Sequence, residues 1–182
     1  MRRAAITLTV LTLLTGCNEE LPKEKVELFA AVAFIRWGME EGNNKFGSER
    51  VDRKVLSDGL EYIVPPSKTD GMSMWVKSPR ECVFDVTMSA PKGQPQGMSQ
   101  TIDFNKARSF ELEFLDKQDL SYPFIEIEGP QIYCERNDCK DEKGFVVLEF
   151  RGDMTSEERR ALALRRIRAV GLIKKSCPGK PF

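Results

Sequence analysis

The 182-residue chain contains no histidine. That absence removes the imidazole general base, the Ser-His-Asp and Cys-His nucleophile systems, and every zinc, copper or haem site that needs an imidazole ligand. Catalysis by carboxylates or by a Ser-Lys pair is what remains open. Thiols are also scarce: there are five cysteines and no Cys-x-x-Cys pair, so a four-thiolate metal site lacks its usual spacing. Neither Gly-x-x-x-x-Gly-Lys nor Gly-x-Gly-x-x-Gly occurs, which leaves no phosphate-binding loop and no expected cofactor. Gly71-Met72-Ser73 and Gly97-Met98-Ser99 both stop short of the Gly-x-Ser-x-Gly nucleophile elbow. Charge of one sign is not in excess, with 28 Lys and Arg against 28 Asp and Glu, so nothing favours nucleic acid or bulk attraction to anionic lipid. A membrane-spanning run is missing as well: the apolar stretch from Ala4 to Leu14 holds about 11 residues where about 20 are needed to cross a bilayer.

What that stretch does have is the form of an export signal. It follows the basic start Met1-Arg2-Arg3, has the length of a secretory core, and closes on Leu14-Thr15-Gly16-Cys17. This string resembles the lipobox of bacterial lipoproteins, in which leucine, two small or uncharged residues and an invariant cysteine are recognised by a lipid transferase and a dedicated signal peptidase. The resemblance covers the first 17 residues. It implies that residues 1–16 are a signal peptide and that Cys17 becomes the mature N-terminus, carrying a diacylglycerol thioether and a further acyl chain of the palmitate kind. Residues 17–25 would be a lipidated tether, polar and containing Pro22. Two or three acyl chains give stable attachment where one would be marginal. In the enterobacterial version of the pathway an aspartate after the cysteine favours inner-membrane retention, so Asn18 points to the outer membrane, with the domain facing the periplasm.

The other four cysteines, Cys82, Cys134, Cys139 and Cys177, form an even set in an exported chain and read as two disulfides. Three connectivities are open. The favoured one joins Cys134 with Cys139 across a turn and Cys82 with Cys177, which ties the C-terminal tail back to the rest of the fold.

Residues 26–182 are one domain's worth of chain. Val26 to Met39 is apolar almost all round, with Leu28, Val32, Ile35 and Met39 at helical spacing and Phe29 and Ala33 beside them. This helix is either a core element or an interfacial one lying in headgroups with Trp37 at the boundary; its polar side lacks the cations usual in the second case. Glu40 to Asp58 reads as an irregular connector with a helical turn near Ser48 to Lys54. From Leu60 the pattern breaks into short strand-like runs: Leu60–Val64, Pro65–Gly71, Met72–Lys77, Cys82–Met88, Gln100–Phe104, Phe110–Leu115, Phe124–Glu128, Gln131–Glu135 and Phe145–Phe150. Glu135 to Lys143 reads as an exposed hairpin loop, and Ala90 to Gly97 as a Pro/Gly-rich one. Thr155-Ser156-Glu157-Glu158 is a capping box that opens a last helix, with Gly171 placed to end it and Leu162, Ala163, Ile167, Val170 and Ile173 on one side.

Candidate sites each have an ordinary alternative. Glu111, Glu113, Glu126, Glu128 and Glu149 could bind a cation or a basic partner, or simply form the wet face of a sheet. A carboxylate glycosidase would need two of them converging on a cleft. Arg159, Arg165, Arg166 and Arg168 could dock anionic lipid, peptidoglycan carboxylates or an acidic partner, or pair with sheet glutamates. Met72, Met74 and Met98 suit core packing better than a thioether copper site. Arg151-Gly152-Asp153 is explained by the turn into the capped helix.

The expected fold is α+β: an antiparallel meander of about seven strands with an N-terminal and a C-terminal helix packed on the sheet. Were the sheet to curl and close under the last helix, its element order would resemble a pleckstrin-homology-like barrel. The expected role is that of a membrane-anchored envelope lipoprotein, a non-enzymatic binding or assembly module with an envelope protein partner. The alternatives are a carboxylate-dependent envelope hydrolase and a carrier of lipid or another small ligand.

Overall fold

The computed structural model describes residues 21–39, 51–64, 72–89, 97–116, 121–135, 138–146 and 154–179, of which 115–116, 121–123 and 142–146 by backbone alone. The lipobox and Cys17, the run Pro65–Gly71, nearly all of the Ala90–Gly97 loop, Glu149 and Arg151-Gly152-Asp153 lie outside the described residues.

The first helix, α1, runs Lys23–Trp37 and starts directly after Pro22. Its apolar residues continue to Ile35, and Gly38 then ends it: at φ 64° the glycine adopts the left-handed conformation that an L side chain disfavours. The Gly38 N–H donates to the Phe34 carbonyl at 2.7 Å. Phe29, Ala31, Val32, Ala33, Phe34 and Ile35 are all buried. This is a core helix, which decides between the two readings of its apolar surface. Among the described residues no helix is long and apolar enough to cross a membrane.

Among the described residues eight strands follow, β1 (Asp52–Val55), β2 (Gly59–Val64), β3 (Met72–Arg80), β4 (Val83–Met88), β5 (Met98–Asp103), β6 (Ser109–Asp116), β7 (Ser121–Glu135) and β8 (Asp138–Val146), and then a second helix, α2 (Ser156–Ser176). Every pairing is antiparallel. β8 accompanies β7 along both of its halves, so β5, which pairs with Tyr133–Glu135, and β6, which pairs with Ser121–Glu128, share the opposite edge of β7. They are one strand interrupted by a 3-10 turn at Phe104–Lys106. The architecture is thus a meander of seven strand positions, open rather than closed, with both helices on one face. The barrel-like closure does not occur.

The interruption has a counterpart in β7. Gly129 sits where a side chain would have its Cβ 2.0 Å from the Lys106 carbonyl oxygen, so only glycine lets the two breaks lie against each other. Gln131 follows at φ 49°, and the β7–β8 register shifts between Glu128 and Tyr133. A second irregularity falls between Lys77 and Arg80, where Pro79, lacking an N–H, occupies a bulge.

Several sequence expectations are corrected here. Of the helical turn expected near Ser48 to Lys54, residues 48–50 lie outside the described residues and Asp52–Lys54 belong instead to edge strand β1. Glu135 to Lys143 is not a loop: from Asp138 it is strand β8. Charged residues are what an exposed edge strand uses to discourage pairing with other chains, and they concealed its strand character. Phe124–Glu128 and Gln131–Glu135 are halves of a single strand. α2 continues through Gly171 to Ser176. A Cβ at Gly171 would meet nothing within 4 Å, and the flanking Val170 and Ile173 are buried, so packing carries the helix past the glycine.

The core lies between the helix pair and the inner sheet face, where Leu60, Tyr62, Met74, Val76, Phe84, Val86, Ile102, Phe110, Ile125 and Ile127 are buried. Phe29, Phe84, Phe104 and Phe110 form a chain of edge-to-face rings across it, at centroid separations of 5.7, 5.8 and 5.1 Å. Met72 and Met74 belong to this core as well. Two disulfides brace it. Cys82, in the two-residue turn between β3 and β4, is joined to Cys177 just beyond α2, and Cys134 to Cys139, directly opposite each other on β7 and β8.

Candidate functional site

The Cys82–Cys177 bridge fixes which side of α2 meets the sheet. At about 100° per residue, counting back from Cys177 puts Arg166 within about 20° of the sheet direction, Ile167 about 80° away and Arg168 about 180° away. The burial agrees. Arg166 is 1% exposed, while Ile167 is 47% and Leu164 50% exposed. The apolar side expected from Leu162, Ala163, Ile167, Val170 and Ile173 therefore holds Arg166 in place of Ile167. The aliphatic stem of an arginine packs as well as a leucine does, which makes the exchange tolerable.

The proposed arginine surface consequently divides. Arg159 turns back on the helix start and donates to the Met154 carbonyl at 2.8 Å. Arg166 is inside and cannot dock anything. Arg165 and Arg168 remain, and both face a cleft between the helices. The guanidinium of Arg165 lies 6.0 Å from the Phe34 ring centroid on α1.

This cleft, about 720 Å³, is bounded by α1, α2 and the β1–β2 edge of the sheet. Its apolar wall is Val26, Ala30, Ala31, Phe34, Met39, Tyr62, Ala169 and Leu172, and its ionic groups are Lys23, Glu27, Arg53, Arg165 and Arg168. Glu27 is matched by Lys23 one helical turn away at 3.9 Å. The other three ionic groups among the described residues are arginines, of which Arg53 and Arg165 have interactions of their own. The volume falls within the range typical of small-ligand sites. Arg53 and Tyr62 escaped sequence reasoning because they come from β1, read as connector, and from the buried side of β2. They reach the cleft only because register places Arg53 opposite Tyr62.

A second cavity, about 680 Å³, opens beside the start of α1 and is lined by Leu21, Leu28, Phe29, Phe84 and the Cys82 turn. Its charges are mixed, Lys25 and Arg80 against Glu24, Asp58 and Glu81, so they select no particular ligand. The strand glutamates do not converge on either cavity. Glu111 pairs with Lys174 of α2 at 2.9 Å.

A buried polar group lies under the end of α1. The Arg36 Nε donates to the Gln100 Oε1 at 2.6 Å, and the Arg36 guanidinium stacks 4.5 Å above the Trp37 ring centroid. Arg36 also hydrogen-bonds the Tyr133 hydroxyl. Burial raises the Tyr133 pKa above its ordinary value; the charge and hydrogen bond of Arg36 oppose the rise, and Glu135 adds to it. Tyr133 is a neutral donor and acceptor at neutral pH. It ties the helix to the sheet, and none of these groups lines either cavity. Among the described residues no group of three or more Cys, Asp or Glu is gathered to hold a metal ion. Comparison of the chain with protein-family models, with curated proteins and with solved structures finds no match in any of the three.

Proposed function

We propose that this chain is a lipid-anchored lipoprotein of the bacterial cell envelope, a non-enzymatic binding module that takes its ligand in the cleft between α1 and α2. The cleft carries this reading. In it a cavity of ligand size combines an apolar wall with ionic groups that, among the described residues, are mostly basic. Leu14-Thr15-Gly16-Cys17 supports the anchor, and Asn18 supports attachment to the outer membrane with the domain in the periplasm. Two disulfides suit an oxidising compartment.

Two measurements test the proposal in cells. Cys17→Ala should move the protein from the membrane fraction to the soluble one; retention in the membrane fraction refutes the anchor. A photocrosslinking residue at Ala30, on the cleft wall, should form an adduct with an envelope component, whereas one at Trp75 on the opposite sheet face should not. Adducts at Trp75 alone would show that the sheet face, and not the cleft, is the binding surface.

A further inference from the structure

We infer that the outward side of α2 is a docking surface for an anionic phospholipid bilayer. This extends the anchor proposed above, on which its position beside the membrane rests, and it is independent of the cleft and its ligand. Exposure, charge and the path of the chain each select it.

The side of α2 turned away from the sheet carries Arg160, Leu164, Ile167, Arg168 and Lys175, all exposed. At about 100° per residue these five fall within about 100° of arc, and from Arg160 to Lys175 they form one stripe about 22 Å long. Leu164 and Ile167 are 50% and 47% exposed, so two large aliphatic side chains stand in water side by side. The core has no use for them, because Arg166 occupies the inward place that Ile167 would fill. Arg160, Arg168 and Lys175 flank the pair. Among the described residues the side chains of these three cations make no hydrogen bond or ion pair, whereas Arg159, Arg165 and Arg166 are engaged and Lys174 is matched by Glu111. After Glu157 and Glu158 in its first turn, α2 contains no carboxylate.

Aliphatic groups set between unmatched cations suit an interface of phosphates over acyl chains. The aliphatic side chains enter the headgroup layer while the guanidinium and ammonium groups stay with the phosphates, so the charges are complementary. A folded acidic partner suits the stripe less well. It offers no aromatic residue to fill a pocket and, past the first turn, no carboxylate to accept hydrogen bonds from a partner's rim.

The path of the chain brings this side to the membrane. Leu21 and Ser176 line one cavity, and Lys23 and Arg168 line the other, so the start of α1 lies beside the C-terminal half of α2. Lys23 is six residues beyond Cys17. Fully extended, that tether reaches about 20 Å. Lipid on Cys17 therefore holds Arg168 and Lys175 next to the bilayer, within reach of a surface whose field fades over about 10 Å in 0.1 M salt.

The test uses the full chain carrying Cys17→Ser, which no acyl chain anchors, sedimented with vesicles of phosphatidylcholine alone or mixed with phosphatidylglycerol. Any contribution of residues 1–16 is common to every variant and cancels in the comparison. Binding should be on the order of tenfold tighter to the anionic vesicles, and that preference should fall as salt is raised. Arg160→Glu with Lys175→Glu, at two positions that line neither cavity, should remove the preference, and Arg160→Lys with Lys175→Arg should keep it. Leu164→Ser with Ile167→Ser should weaken binding severalfold and leave the preference in place. All four side chains are exposed, so circular dichroism and thermal unfolding should match those of the parent chain. Equal binding to the two kinds of vesicle overturns the inference, as does an unchanged preference in the charge-reversed pair. In cells, a photocrosslinking residue at Leu164 should join lipid; a protein adduct instead would assign the stripe to an acidic partner and overturn the inference. Release of Cys17→Ala to the soluble fraction, with no vesicle preference, would leave the anchor standing and remove the docking surface. Membrane retention of Cys17→Ala that is lost on adding Arg160→Glu and Lys175→Glu would refute the anchor and support the surface.

Discussion

The two disulfides close loops of very different length, 95 residues for Cys82–Cys177 and 5 for Cys134–Cys139, and this sets up a quantitative comparison. In the chain-entropy model a cross-link stabilises by restricting the unfolded chain, with an entropy of −2.1 − 1.5R ln n cal/mol/K for a loop of n residues. At 25 °C this gives about 4.7 kcal/mol for the long bridge and about 2.1 kcal/mol for the short one. A domain of this size has a total stability of about 5–15 kcal/mol, so loss of the long bridge removes a third or more of it. The perturbation is a pair of double variants, Cys82→Ser/Cys177→Ser and Cys134→Ser/Cys139→Ser, each unfolded in urea without reductant. The first should lose about 2.5 kcal/mol more than the second and show a larger dependence on urea, because its unfolded chain exposes more surface. A refinement separates cross-link from backbone. Cys82 stands at φ 57°, where a non-glycine residue costs about 1–2 kcal/mol, so Cys82→Gly/Cys177→Ser should recover about 1 kcal/mol relative to the serine pair. Equal losses for the two serine pairs would refute the argument from loop length, and a glycine variant no better than serine would refute the argument from φ.

The rotation of α2 predicts that Arg166→Ala, which empties a buried site, costs about 2–4 kcal/mol, whereas Arg168→Ala at the rim stays within about 0.5 kcal/mol; thermal unfolding of the two reads this directly, and similar midpoints would mean the helix is turned differently. The glycines separate as well: Gly171→Ala should stabilise by about 0.8–1.0 kcal/mol because its Cβ meets nothing, while Gly129→Ala should destabilise by about 1–3 kcal/mol because its Cβ would press on the Lys106 carbonyl, and urea midpoints moving the same way would contradict this. Because burial raises the folded-state pKa of Tyr133, its support for folding is fully present below the unfolded value of about 10 and is lost as pH rises through the folded value. Unfolding free energy should therefore fall more steeply above pH 10 in the wild type than in Tyr133→Phe, and parallel slopes would rule the tyrosine out.

Local chemistry was legible where a signal is contained in a few neighbouring residues. Thr155 caps α2 by accepting from the Glu158 N–H at 3.2 Å, as the capping box requires, and Glu158 reaches back to the Thr155 N–H at 2.8 Å. Alternation exposed most strands for the same reason, since side chains two apart share a face whatever the rest of the fold does. β8 was misread because an edge strand needs no apolar alternation, only a partner with free hydrogen-bonding groups, and that partner is β7. The rotation of α2 was readable in principle from Cys177, but only once its bond to Cys82 is accepted as the reference direction. The cleft was not readable at all: Lys23, Arg53, Arg165 and Tyr62 come from four elements, and nothing local in the sequence relates them.

By itself, then, the sequence determined the chemistry this protein lacks, through the missing imidazole, and the class of fold, through two periodicities and one cap. It also determined the expectation of a lipid anchor at Cys17. Tertiary structure decided which arginines meet solvent and which are inside, because a helix face is chosen by its bonds and packing to other elements and not by its own composition. It likewise decided that apolar residues of both helices and three arginines line one cleft. Such a site is a product of register and helix placement, both of which are set by contacts between residues far apart in the chain.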